Sequence, residues 1–306
     1  MNQITKIIFW TASSVFGIMA FNAKGAYAWG HDGHEIINRS AVRLMTSPDR
    51  GFFAANEDNL ALFANTPDVR WKAPATYNSE KPMHFFQWDR YRDSKLAAQM
   101  PIDLTGATNL LGATYITANG SAPWRAAQIY GMLQESLGKG DCGRALQLAG
   151  VLGHYIGDLS QPMHNTSDYD GQSINQPGVH KLFESTMVGQ QNKADLLAKV
   201  VSNGSQGHDE LAAIPLRGAQ IDVIALTGKE SELSLTDLRR ILDDFQQSQQ
   251  GQTDLVAQFP PLMGRGAFTL AKIWDSASEA AAAQQGKGNC PATKIPLAEP
   301  GWFPLN

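Results

Sequence analysis

The sequence predicts an all-α protein that forms a single-domain multi-helix bundle. Apolar residues recur at mixed spacings of three and four along several long segments, which is the period of an amphipathic helix. The alternation of apolar and polar residues that marks a half-buried strand does not persist over any long segment. No repeat at a fixed period is present, and the alanine run at 280–283 suits a helix. We therefore expect helices packed around one core.

Seven segments carry the helical pattern: 34–45, 56–63, 122–137, 143–159, 178–187, 235–247 and 262–284. The segment 143–159 is strongly apolar, so we expect that helix to be buried on most sides. Glycines at 138 and 140, and Pro162, mark the ends of two helices. We predict a long loop at 67–82, a cluster of Pro and Asn, and another at 165–177, which is rich in Asp, Ser, Asn and Gly.

Residues 1–28 have the features of a secretory signal peptide. Lys6 supplies an early positive charge, and the apolar stretch after it is short and interrupted by small polar residues. Cleavage after Ala28, at a small-x-small site, would make Trp29 the first residue of one domain spanning 29–306. We therefore expect a secreted or periplasmic protein without stable membrane insertion. The alternative is an uncleaved membrane anchor.

Charge and cysteine content limit the function classes. A formal net charge of -4 gives no broad positive field for duplex nucleic acid or anionic membranes, so any recognition of phosphate must be local. Cys142 and Cys290 form either one disulfide, as an oxidising compartment permits, or two isolated thiols. Their spacing does not suggest a zinc knuckle.

Two pairs of histidine and carboxylate side chains stand four residues apart, which places both members on one face of a helix. His154 precedes Asp158 in the apolar helix, and His180 precedes Glu184 further along the chain. Burial of such a pair costs on the order of several kcal/mol unless a partner such as a divalent cation compensates. With His164, the second pair supplies the three protein ligands of a catalytic zinc. The alternatives are a hydrogen-bonded core pair for the first and a solvent-exposed helix pair for the second.

Three further donors, His34, Asp68 and His84, precede these pairs. The run 154–164, with the other donors in this order, resembles the signature of the zinc-dependent phospholipase C and single-strand nuclease superfamily. The resemblance implies an all-α fold with long loops around a trinuclear zinc site. It also implies that signal cleavage exposes an N-terminal tryptophan, Trp29, which is itself a zinc ligand.

The resemblance assigns nine ligand positions along the chain. It implies a first zinc held by Asp68, His84, His154 and Asp158, a second held by Asp158, His34 and the amino nitrogen and carbonyl of Trp29, and a third held by His164, His180 and Glu184. His31 and His208 match no ligand position, so we expect them at the surface or beside a ligand. The region after 187 carries no motif.

A trinuclear zinc site of this kind suits the hydrolysis of phosphodiesters. Three cations bind the anionic oxygens and stabilise the charge that develops in the transition state. A water shared by the first two zincs would have a lowered pKa and supply hydroxide. We predict Asp68 as the catalytic residue that orients or deprotonates this water. Asp158, which bridges the first two zincs, is the second predicted catalytic residue.

Some features resemble the phospholipase C branch of the superfamily. Asn38 and Arg39 follow the ligand histidine, Glu184 stands where the nucleases usually carry aspartate, and the span 164–180 is short. We therefore favour a phosphodiesterase that acts on phospholipids, and we expect it to be a monomer.

Other features resemble the nucleases and keep a single-strand-specific endonuclease of DNA or RNA as the alternative. Trp29 lies five residues before His34, and Phe85 is placed to stack on a base. Gln87, however, stands where the nucleases carry a base-reading aspartate. We predict Phe85 and Trp88 as substrate contacts, with packing beneath the loops as their alternative role. A non-catalytic periplasmic zinc-binding protein is a second alternative.

Overall fold

The computed structural model describes residues 29–94, 100–214, 216–217, 220–245, 249–283 and 290–305. The predicted signal peptide, 1–28, lies outside these residues. The described chain is mainly helical, which confirms the all-α prediction. One short antiparallel hairpin that the sequence pattern did not predict pairs β1 (Leu216–Arg217) with β2 (Gln220–Ile221). No helix within the described ranges combines the length and apolar content that a bilayer crossing requires.

The α-helices are numbered in chain order. They are α1 (Gly30–Leu44), α2 (Arg50–Ala55), α3 (Glu57–Phe63), α4 (Tyr77–Glu80), α5 (Trp88–Tyr91), α6 (Leu104–Leu111), α7 (Ala113–Asn119), α8 (Ala122–Lys139), α9 (Cys142–Ser160), α10 (Val179–Lys181), α11 (Lys193–Gly204), α12 (Asp209–Ala212), α13 (Val223–Phe245), α14 (Gln249–Val256) and α15 (Phe259–Ala282). Two π-helical segments, Pro67–Trp71 and Leu182–Met187, and three 3-10 turns, Lys81–His84, Pro162–Asn165 and Gln172–Ile174, lie between them.

The helices α9 and α15 form the centre of the bundle. Every residue of α9 from Leu148 to Ser160 is buried, which confirms the expectation for the apolar segment 143–159. Helix α15 packs against α1, α8, α9 and α11, so its apolar side chains join the core from several sides. Burial of these apolar surfaces is the main source of stability for such a bundle.

Two predictions of local structure are wrong. The predicted loop at 67–82 contains the π-helix Pro67–Trp71, helix α4 and the start of a 3-10 turn. Proline fixes φ at a helical value at the start of two of these segments, and the burial of Trp71 holds the first one in place. Helix α13 begins at Val223, well before the predicted start at 235. Its first turns bury apolar residues, and the hydroxyl of Thr227 donates to the carbonyl of Val223.

The C-terminal segment, 290–305, is an extended chain without helix. Cys290, at its start, forms a disulfide with Cys142 at the beginning of α9, which decides between the two alternatives that the sequence left open. Beyond the disulfide, Asn59 Nδ2 donates to the carbonyl of Ile295, and Gln147 Nε2 donates to that of Ala298. The segment is therefore fastened along α3 and α9.

Candidate metal centre

Helix α9 supplies the centre of the candidate site. His154 and Asp158 are fully buried one turn apart, with His154 Nε2 3.4 Å from Asp158 Oδ2. His34, on α1, reaches the other oxygen of the same carboxylate, with Nε2 3.4 Å from Asp158 Oδ1. The two oxygens of Asp158 thus face two different histidines, which is the arrangement that a bridging carboxylate requires.

The π-helix Pro67–Trp71 and the 3-10 turn Lys81–His84 bring two more donors to this carboxylate. His84 Nδ1 lies 3.0 Å from Asp158 Oδ2 and 2.9 Å from His154 Nε2. Asp68 Oδ1 lies 3.6 Å from His84 Nδ1 and 3.7 Å from His154 Nε2. The four residues predicted for the first zinc therefore converge, although they come from three separate elements.

The third predicted ligand set also comes together. His180 Nε2 is 2.7 Å and His164 Nε2 is 3.5 Å from Glu184 Oε2, and all three side chains are buried. Gln161 Nε2 donates to the same oxygen at 2.8 Å. The ligand atoms of His164, His180 and Glu184 lie close enough to one another to hold one ion.

The outward nitrogens of the histidines are held by other groups. His154 Nδ1 lies 2.7 Å from the carbonyl oxygen of Ala64, and His164 Nδ1 contacts that of His84. A carbonyl can only accept, so each of these Nδ1 atoms carries the proton and each Nε2 keeps a lone pair for the cluster. This is how metal-binding histidines are usually fixed in one tautomer.

Several buried polar atoms of the cluster have no hydrogen-bond partner among the described residues. They include His34 Nε2, Asp158 Oδ1, His164 Nε2 and Glu184 Oε1. Each such atom costs about 1–3 kcal/mol when it is buried without a partner. Divalent cations would satisfy all of them, and nitrogen and carboxylate oxygen are ligands that zinc accepts. The residues present therefore fit the predicted metal.

Burial favours the neutral imidazole that metal binding needs, although at His180 the carboxylate of Glu184 outweighs burial and raises the pKa. Burial lowers the pKa of His34, His84 and His154 well below 6.5, so these imidazoles are neutral near pH 7. Burial alone would raise the pKa of Glu184. The charges and hydrogen bonds of the neighbouring histidines outweigh burial and lower this pKa to about 2.

The pKa of Asp158 shifts in the opposite direction to that of Glu184. Burial and the nearby carboxylate of Asp68 raise the pKa of Asp158 well above its usual value. An adjacent divalent cation would reverse this shift, because opposite charge favours the ionised carboxylate. The arrangement is therefore electrostatically costly for two carboxylates alone and favourable for carboxylates with cations between them.

The structure adds two residues that the sequence interpretation missed. Lys72 Nζ lies 2.6 Å from Asp68 Oδ1, and the charge of Asp68 outweighs burial and raises the pKa of this lysine. Glu80 is fully buried, with Oε1 3.2 Å from Nε2 of His84. Both pairs stand four residues apart, which is the same signal that identified the other pairs. They were missed because they fall in the segment interpreted as a loop.

A cleft of about 820 Å³ opens onto the cluster. His84, His164 and His180 form part of its wall, and Phe85 lines it beside them, as its predicted role requires. Three lysines, Lys72, Lys81 and Lys181, line the same cleft. Trp88 does not line it; this side chain is partly buried and packs on Phe86, 5.9 Å between ring centroids.

Trp29, predicted as the N-terminal ligand, is fully buried at the start of α1. Its indole Nε1 donates to Ser160 Oγ at 3.0 Å, and its ring packs on Phe183 and Phe259. Its carbonyl oxygen accepts from the backbone of Gly33 at 3.1 Å and retains one further lone pair. The side chain thus fixes where the backbone of this residue lies.

The two histidines without a predicted ligand role lie apart from the three buried sets. His31 is exposed beside Asp32 and Glu35, and Lys193 Nζ contacts the Asp32 carboxylate. His208 is partly exposed and packs on Phe268, with ring centroids 5.1 Å apart.

Comparison with known proteins shows the fold. No protein-family model matches the chain. The alpha toxin of Clostridium absonum has a similar structure, with a TM-score of 0.54 and 15% sequence identity over 81% of this chain and 66% of the toxin chain. The chain therefore has an all-α fold like that of the toxin, and it spans about two thirds of the toxin's length.

A curated protein of Bradyrhizobium tropiciagri, described as a probable serine protease, is 27% identical over 189 residues. The match covers 52% of this chain and 23% of that protein. The chain spans about a quarter of this relative's length.

Proposed function

We propose that the chain is a zinc-dependent phosphodiesterase, with Trp29, His34, Asp68, His84, His154, Asp158, His164, His180 and Glu184 holding three zinc ions. The observation that carries this proposal is the cluster of buried histidines and carboxylates, three of whose histidines, His84, His164 and His180, line an open cleft together with lysines. The buried histidines and carboxylates favour cations at the base of the cleft, and the lysines favour an anionic substrate beside them.

The open cleft favours catalysis over storage or structural binding of zinc. A structural zinc site is usually closed by four protein ligands, whereas a catalytic site leaves a position free. The set of His164, His180 and Glu184 offers three ligands, and both histidines line the cleft. A substrate oxygen or water can therefore reach an ion held by this set.

Bound zinc would polarise the phosphoryl oxygens and lower the pKa of a coordinated water. Asp68 would orient or deprotonate the attacking water, because its Oδ1 lies 3.6 Å from His84 Nδ1 and 2.6 Å from Lys72 Nζ, and both of these residues line the cleft. The ammonium of Lys72 holds this carboxylate in place and adds positive charge near the phosphate. Asp158, with each oxygen facing a different histidine, keeps the first two ligand sets together.

We propose phospholipids as the substrate and single-stranded DNA or RNA as the alternative. Tyr77, Phe85 and Tyr169 give the cleft an aromatic wall that suits acyl or headgroup carbons, and the lysines that line it suit a phosphate. Phe85 is also placed to stack on a base, which is the observation that favours the nuclease. The proposal includes export after cleavage at Ala28, one domain spanning 29–306, and a monomeric state.

A direct comparison of substrates tests the proposal. The chain beginning at Trp29 is loaded with zinc and assayed on phosphatidylcholine vesicles, single-stranded DNA and single-stranded RNA. We expect hydrolysis of the lipid, its loss on chelation, and its loss in Asp158→Asn. His31→Ala, which removes an exposed histidine outside the buried sets, serves as the control and keeps activity. A wild-type chain that retains three zinc ions and cleaves none of the three substrates would refute the enzyme in favour of zinc binding.

A further inference from the structure

Glu80 is a buried carboxylate outside the nine predicted ligands. Its Oε1 accepts from the hydroxyl of Tyr155 and lies 3.2 Å from His84 Nε2. Its Oε2 accepts from Trp302 Nε1 at 2.7 Å and lies 3.9 Å from the guanidinium of Arg125. Tyr155 and Trp302 donate to this carboxylate and Arg125 offers a further donor, so Glu80 is the acceptor around which they are organised.

His84 depends on a group of this kind. Its Nδ1 faces Asp158 and His154, so this nitrogen must keep its lone pair if His84 is to bind a cation there. The proton of the neutral ring must then sit on Nε2, a buried nitrogen that has no hydrogen-bond partner among the described residues and lies 3.2 Å from Glu80 Oε1. A carboxylate beside the outward N–H fixes the tautomer and ring orientation and increases the basicity of a metal-binding histidine.

Trp302 belongs to the C-terminal segment, far from His84 in sequence. The segment reaches this position after the disulfide at Cys290 and its attachments along α3 and α9. Phe303, the next residue, covers the buried guanidinium of Arg125, 4.2 Å from its ring centroid. The C-terminal segment thus packs against the buried groups that surround Glu80.

The indole N–H of Trp302 also opposes the attraction between Arg125 and the carboxylate of Glu80. Arg125 is fully buried and carries a positive charge that pulls on Oε2 of Glu80 from 3.9 Å. Without the bond from Trp302 no other hydrogen bond to Oε2 remains in the described residues, and only the hydroxyl of Tyr155, at Oε1, opposes a rotation of the carboxylate toward the guanidinium. That rotation would withdraw Oε1 from His84.

We infer that Glu80 and Trp302 are positioning residues through which the C-terminal segment sets the zinc affinity of the site that contains His84. Trp302 Nε1 orients Glu80, and Glu80 orients His84. The inference rests on the proposed metal centre, but it concerns metal affinity and not the reaction.

Zinc affinity measured by competition with a chromophoric chelator tests this chain of contacts. We expect Trp302→Phe, which keeps an aromatic ring and removes the N–H, to weaken one of three zinc sites about 10–100-fold. Glu80→Gln weakens the same site at least as much. Both variants change the visible spectrum of the cobalt-substituted protein, which reports the geometry around the ion. Gln147→Ala, which removes an attachment of the segment remote from Glu80, leaves all three affinities unchanged.

A double variant separates positioning from general loosening. If Trp302 acts through Glu80, Trp302→Phe adds no further loss of zinc affinity in a Glu80→Gln background. Independent, additive losses would overturn the inference, as would three unchanged affinities in both single variants. Should Trp302→Phe fail to fold by circular dichroism, Glu80→Gln with unchanged affinities and cobalt spectrum would still overturn it. A wild-type chain that binds zinc but hydrolyses no phosphodiester would reject the proposed reaction. The comparison of zinc affinities among the variants would still test the roles of Glu80 and Trp302.

Discussion

Gly157 of α9 lies directly against His34 of α1: a Cβ at this glycine would stand 2.8 Å from Nδ1 of the imidazole. One turn earlier, a Cβ at Gly153 would stand 1.8 Å from Oδ1 of Asn38. The two glycines of α9 therefore receive two side chains of α1 that are also one turn apart. This close approach brings His34 within reach of Asp158.

Gly157→Ala should displace His34 and weaken the zinc site to which it belongs. The added methyl group has no space, and overpacking of this kind costs about 1–3 kcal/mol. We expect fewer than three zinc ions per chain by elemental analysis and a lower midpoint of urea unfolding. The control is Gly131→Ala in α8, where a Cβ meets nothing within 4 Å and the helix gains roughly 0.5–1 kcal/mol. Unchanged zinc content in Gly157→Ala would show that His34 is not a ligand.

Glu184→Gln should remove the third zinc and leave the other two. The pKa of about 2 shows how strongly the environment of Glu184 favours its charged form, and a neutral amide loses that attraction. We expect two zinc ions per chain and a kcat at least about a hundredfold lower, the scale of losing one stabilising group in a transition state. Glu35→Gln, on the surface of α1, is the matched control. Three tightly bound zinc ions in Glu184→Gln would contradict the assignment.

Ligands on one helix were predictable because helix geometry is local. His154 with Asp158, and His180 near Glu184, followed from a spacing of four residues. The region 67–82 was interpreted as a loop, so the same spacing between Asp68 and Lys72 carried no weight there. Proline and burial, which no periodicity records, give that region its helical turns.

Substrate contacts were less predictable because they depend on which way a short extended segment turns its side chains. Phe85 is extended, so Phe85 and Phe86 point to opposite sides. Phe85 lines the cleft and Phe86 is buried, with Trp88 packed on Phe86. Asn38 is a second case in which sequence did not indicate the role of a side chain. It follows the ligand histidine as in the phospholipase C branch, but in the structure its amide donates to the carbonyls of Leu60 and Gly150.

Replacement of both cysteines by serine should destabilise the chain without removing a ligand. The disulfide between Cys142 and Cys290 closes a loop across a sequence separation of 148, which restricts the unfolded chain. We expect the free energy of unfolding to fall by about 2–4 kcal/mol, measured in urea with zinc present. Wild type unfolded in the presence of a reductant should match the double variant. Equal stability of oxidised wild type and the variant would contradict the expectation.

His208 should make stability depend on pH through a group remote from the zinc ligands. Burial, with the nearby charge of Arg265, lowers its pKa below 6.5. Between the lowered folded value and 6.5 the unfolded chain binds more protons, so stability falls as pH decreases through this window and is unaffected above it. Zinc-loaded wild type and His208→Gln are compared by urea unfolding from about pH 7.5 to 5.5. The variant should lose less stability than wild type over this range. Parallel curves of unfolding free energy against pH would refute the lowered pKa of His208. A proton NMR titration of the imidazole measures this pKa directly.

An additional alanine before Trp29 should remove one zinc if the amino terminus is a ligand. The indole is held by Ser160 Oγ and by two phenylalanine rings, so contacts of its own side chain position the Trp29 backbone. The extension would convert the terminal amine into an amide, which lacks a lone pair for a metal. We expect three zinc ions in the chain that begins at Trp29 and two in the extended chain, with equal melting temperatures after chelation. A chain with the same alanine added after Asn306 is the control. Three zinc ions in the N-terminally extended chain would mean that His34 and Asp158 bind the second zinc without the terminus.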